Sequence, residues 1–80
     1  MIFPIRVGSM KAAEELSAVC KQFPREMYLR SGAYCIDPKS TLGILAIMYS
    51  APDRMALDAG EMPPEELARL RAALAPFLAE

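Results

Sequence analysis

The chain has 80 residues, enough for one hydrophobic core and too few for two, so one domain spanning residues 1–80 is expected. Hydrophobic residues make up 54%, which excludes a disordered segment. Nine Lys plus Arg against ten Asp plus Glu leave a net charge of −1, which argues against nucleic acid as the main partner because phosphate binding needs a basic surface.

The chain opens with Phe3, Ile5 and Val7 alternating with Pro4 and Arg6, the period-two pattern of a half-buried strand. Pro4 has no N–H to give to a ladder, so this strand is easiest to accept at a sheet edge. Gly8-Ser9 ends it, and Ser9 is placed to cap a helix. From Met10 to Phe23, Ala13, Leu16, Cys20 and Phe23 recur at three- and four-residue steps while Glu14, Glu15, Lys21 and Gln22 take the other side. That is an amphipathic helix, stopped by Pro24.

Alternation returns over Glu26 to Arg30, with Met27 and Leu29 on one face. A turn at Ser31-Gly32 leads into a second short strand, Ala33 to Ile36, and the two strands predict a hairpin. After Asp37-Pro38, Ser40 is placed to cap a short helix through Thr41, Leu42, Ile44 and Leu45. Ser50 to Asp53 reads as a turn. Arg54 to Ala59 then alternates as the last strand, with Met55 and Leu57 inward.

The last helix carries the plainest signals. Pro63-Pro64 opens it where missing N–H groups cost little, and Glu65 and Glu66 suit its positive end. Leu67, Leu70, Leu74, Phe77 and Leu78 form one apolar stripe with Arg69 and Arg71 outside it, and Pro76 is expected to kink or fray the final turn. The order is strand, helix, two strands, helix, strand, helix. An α+β fold is expected, a four-stranded antiparallel sheet with three helices on one face.

No leader pattern stands at residues 1–6, and the longest apolar stretch, Leu42 to Tyr49, is far shorter than the roughly 20 residues of a membrane span, so no membrane insertion and a cytoplasmic protein are expected. In that compartment Cys20 and Cys35 read as reduced, small core residues, with a single disulfide across the core as the alternative. Two cysteines without histidine are too few for a zinc site, and neither metal nor cofactor is expected.

The chain contains no histidine, so Ser-His-Asp and Cys-His constellations are excluded by composition. Glu14-Glu15 and Glu65-Glu66 are sequence neighbours on helices and point in different directions, which suits solvated surface better than a paired-carboxylate site. Gly32, Gly43 and Gly60 stand alone, so no phosphate-cradling loop exists. A protein-binding module is expected rather than an enzyme.

One stretch is more specific. Lys39-Ser40-Thr41-Leu42-Gly43-Ile44-Leu45-Ala46-Ile47-Met48 resembles the segment of HPr, the phosphocarrier of the sugar phosphotransferase system, that holds its regulatory serine and the helix after it. The Lys-Ser pair, the glycine three residues after the serine and the apolar pattern all match. In the same register Ala13, Leu16, Phe23, Met27 and Leu29 fall on family core positions, and the element order agrees with an HPr-like open-faced β-sandwich, βαββαβα. The family phosphorylates a histidine at the start of its first helix, followed shortly by an arginine and a proline. Here those positions hold Ser9, Lys11 and Ala12. A serine phosphate is a stable ester and a poor donor, so the resemblance implies a scaffold without phosphate relay.

The resemblance also implies a possible phosphorylation site at Ser40, modified by HPr kinase where that enzyme exists. Capping and phosphorylation are compatible readings of Ser40, because the positive helix end that gains from a cap also favours phosphate. It further implies a protein partner docked on Met10, Lys11, Leu42, Leu45 and Met48, with Tyr49 beside them. Some of those apolar residues are expected to be core instead, and the exposure of Leu42, Leu45 and Met48 decides between the two. A stand-alone interaction or assembly module unrelated to sugar transport is the alternative function, and a small ligand-binding domain a third.

Overall fold

The computed structural model describes residues 1–79. Its elements run β1 (Ile2–Pro4), α1 (Met10–Lys21), β2 (Tyr28–Ser31), β3 (Tyr34–Ile36), α2 (Thr41–Ser50), β4 (Ala56–Asp58) and α3 (Pro64–Leu74), with 3-10 turns at Pro52–Arg54 and Ala75–Phe77. The strands form one antiparallel sheet in the order β1-β4-β2-β3. This is the expected α+β layout, with the three helices on one face of the sheet.

Register explains the layering. Phe3, Leu57, Leu29 and Ile36 pair in one row across all four strands, and the first three are buried beneath the helices. One residue away, Pro4, Ala56, Arg30 and Cys35 pair in the row that points to the open face. The period of two is absolute, so Cys35 cannot share the core with Ile36. The expectation that both cysteines are core residues is therefore corrected: Cys20 is buried on α1, Cys35 is exposed, and both are free thiols.

Below the sheet, Ala13, Leu16 and Cys20 of α1, Ile44 and Ile47 of α2, and Leu70 and Leu74 of α3 complete one core. Arg69 and Arg71, outside the α3 stripe, lay their guanidinium groups over the Phe23 and Phe3 rings at 5.7 and 5.1 Å. Their charged heads thus cover core aromatics while staying exposed.

Several boundaries differ from the sequence pattern. Ordered pairing in β1 stops at Pro4, although Ile5 and Val7 continue the buried alternation. The edge there is taken over by the chain's C-terminal segment: Ile5 bridges Leu78, Arg6 N–H donates to the Phe77 carbonyl (2.7 Å), and Ala79 N–H donates to that of Pro4 (3.0 Å). Pro4 lacks a donor on the side that faces Ala79, not on the side that faces β4, so the four-stranded ladder loses no bond there. β4 is shorter than Arg54–Ala59 because Pro52 starts a 3-10 turn through Arg54, yet Met55, Leu57 and Ala59 are all buried as the alternation requires. Gly32 enters the hairpin turn at φ +57°, a conformation glycine adopts without steric penalty. Pro76 ends α3 by converting the last turn to 3-10 geometry. No described helix is long and apolar enough to cross a membrane.

Candidate functional site

Both helices of the candidate surface begin in the same way. Ser9, in extended conformation, accepts from the Ala12 N–H with its side-chain oxygen at 3.1 Å, and Ser40 accepts from the Gly43 N–H at 3.2 Å. Neither first turn contains an acidic residue. Each exposed hydroxyl therefore stands at a positive helix end that carries no carboxylate in its first turn.

The approach to Ser40 is held by a network that extends well beyond the cap. Asp37 Oδ1 accepts from the Lys39 N–H (2.9 Å), and the Asp37 carbonyl accepts from the Ser40 N–H (3.0 Å). The buried Ser17 hydroxyl of α1 donates to the Lys39 carbonyl (2.8 Å), and Lys39 Nζ donates to the Arg25 carbonyl (2.8 Å). At the opposite end of α2, the buried Ser31 hydroxyl donates to the Ala51 carbonyl. Two buried serines thus fasten the segments on either side of α2, one from a neighbouring helix and one from the sheet. Sequence reasoning passed over Ser17 and took Ser31 for a turn residue, whereas Ser31 is the buried end of β2. The signal was present: Ser17 lies four residues after Ala13 on the inner helix face, and Ser31 two after Leu29 on the inner strand face.

α2 is also longer than the short helix expected. It continues to Ser50 through Ala46, Ile47, Met48 and Tyr49, and none of its ten residues is charged. Gly43 lets it lie close to the sheet, since a Cβ there would stand 3.2 Å from Ile36 Cδ1. Ile44 and Ile47 face the core. On the outer side Leu42 is 79% exposed and Tyr49 75%, the most exposed large apolar residues of the described chain. Seven residues apart, they lie on one stripe two turns long.

The proposed docking residues therefore divide. Met10 and Lys11, in the first turn of α1, and Leu42 are exposed; Leu45 and Met48 pack partly on the core and present only their outer portions. α1 packs against α2, so Met10 and Lys11 on the one and Leu42 on the other stand on two adjoining helices. Beyond the far end of α2, the β2–β3 turn and the segment from Ser50 to Arg54 border a shallow depression of about 290 Å³, lined among others by Ser31, Gly32, Asp53 and Arg54.

Below the surface, Cys20 lies within the α1 core face. Burial pushes its thiol up to about 11, opposed by nearby Lys39 and reinforced by Asp37. A thiol held protonated in this way is a packing group at neutral pH rather than a nucleophile. Among the described residues no three Cys, Asp or Glu side chains converge in a way that could hold a metal ion. Comparison with protein-family models, with characterised proteins and with solved structures finds no match to this chain.

Proposed function

We propose that this chain is a non-catalytic, HPr-like protein-binding module of the cytoplasm that has lost phosphohistidine relay. It offers the outer face of α2 and the first turn of α1 to a protein partner, and phosphorylation of Ser40 controls that docking. The observation that carries the docking half is Leu42, 79% exposed on a helix without a charged residue. An apolar helix of this kind is ordinarily enclosed on all sides, and exposed apolar area beyond isolated residues marks interaction sites.

Support for the regulatory half comes from Ser40. Its hydroxyl is exposed and caps a helix whose first turn holds no acidic residue. A phosphate there gains from the helix end and changes the charge at one edge of the apolar face. Ser9, at the position that matches the family histidine, caps α1, and a serine ester there would pass no phosphate onward.

Enzyme I and phosphoenolpyruvate are expected to leave the protein unlabelled, whereas HPr kinase and ATP are expected to label it at Ser40. The label should vanish in Ser40→Ala. Labelling by enzyme I would sink the loss of relay. Failure of an active kinase to label the protein would leave the second reading, an interaction or assembly module unrelated to sugar transport that uses the same uncharged α2 face. A shared scaffold does not by itself decide between them.

A further inference from the structure

We infer that the outer face of α2 is a self-association surface, on which a second copy of this chain packs its own α2 antiparallel about a two-fold axis near Leu45 and Ala46. The inference rests on the reading of this face as a docking surface, and it names an occupant that needs no kinase and no foreign partner.

Charge selects that occupant. The ten residues of α2 offer no charged side chain, so a charged partner face would lose hydration there and gain no ion pair. A second α2 brings no charge to the contact. Its dipole also fits: α2 has neither an acidic residue in its first turn nor a basic one in its last. In an antiparallel pair each positive helix start lies beside the negative end of the other copy, which supplies the compensation that the helix's own sequence lacks.

The stripe is self-complementary in that arrangement. Leu42 and Tyr49 are equidistant from the centre of the helix, so Leu42 of one copy meets Tyr49 of the other. Ala46 at the middle allows helix axes to approach to about 8–10 Å. With only the outer portions of Leu45 and Met48 added to Leu42, Ala46 and Tyr49, the contact stays below the roughly 1,000 Å² of a stable specific interface. The dimer is accordingly weak and reversible, and a better-fitting partner displaces it. Ser40 lies just outside the contact, opposite the terminal carbonyls of the neighbouring α2, where added negative charge opposes association.

Sedimentation equilibrium of the full chain from about 10 μM to 1 mM tests this. The average mass should climb from the 8.8 kDa of one chain toward twice that value. Leu42→Glu and Tyr49→Glu should each weaken association at least tenfold, and Ser40→Asp several-fold, with far-UV circular dichroism unchanged because all three side chains are exposed. Ile2→Glu, 61% exposed on the open face of the sheet, should leave association unaltered. A protein that stays at 8.8 kDa throughout overturns the inference, as does a dimer that survives Leu42→Glu and Tyr49→Glu. Tighter association in Ser40→Asp overturns the antiparallel arrangement. Kinase labelling of a strictly monomeric protein would leave the docking reading standing while this inference fell.

Discussion

α1 and α2 start alike and end differently. Each has a serine cap bonded to the N–H three residues on, and each buries an inner face in the same core. Outward, α1 presents Glu14, Glu15 and Lys21, whereas α2 presents Leu42, Ala46 and Tyr49. A hydrated outer face satisfies α1 as it stands; α2 keeps apolar area in water that core packing does not need. The difference sets the α2 face apart, because Leu42 and Tyr49 stand largely outside the core that the two helices share.

The sharpest test contrasts the two sides of α2. Ile44→Ala, at a fully buried position, is expected to cost about 2–5 kcal/mol in urea unfolding, as is Leu16→Ala on α1. Leu42→Ala should change stability by less than about 0.5 kcal/mol. A comparable loss at Leu42 would mean that the outer stripe belongs to the core and that the contrast between the helices is mistaken.

A second test concerns the α1 core face and pH. Cys20 has its folded pKa raised to about 11 from an ordinary value of 9.0, so the folded state holds the proton more tightly than the unfolded one. The associated stability is fully present below pH 9 and is lost as pH rises toward 11. Wild type should lose on the order of 2 kcal/mol more than Cys20→Ala over that interval, measured by unfolding at each pH. Parallel pH profiles would show that the thiol is not confined as the structure has it.

The caps should respond alike. Ser9→Ala and Ser40→Ala are each expected to cost about 1 kcal/mol. A Ser40 loss well above that would indicate that the segment held by Asp37, Ser17 and Lys39 unravels with the cap. The smallest effect is chemical. In the native protein Cys35 should react with a thiol reagent at the rate of an open cysteine, with no change in melting temperature, while Cys20 reacts only on unfolding.

Much of the scaffold was legible in the residues. The inner faces of α1 and α3, both serine caps, the hairpin turn and the buried rows at Phe3, Leu29 and Leu57 follow from period, capping and turn chemistry, all local properties. The docking surface was legible only in part. Leu42, Met10 and Tyr49 are exposed, but Leu45 and Met48 divide between core and surface, since a helix apolar all round has no period to tell its two sides apart. Cys35 was misplaced because a three-residue strand beside a turn gives too short a run to fix its phase.

By itself the sequence determined the kinds and order of the elements, the absence of any histidine to carry phosphate, and the serine that begins each helix of the candidate site. The tertiary structure decided the strand order β1-β4-β2-β3, the edge closed by residues 77–79, the buried Ser17 and Ser31 bonds at the two ends of α2, and which apolar side chains stay in water. Caps, turns and periodicity act within a few residues and can be read along the chain. Exposure on α2 depends on what packs against it from residues far away in sequence, and an uncharged ten-residue helix carries no internal record of that.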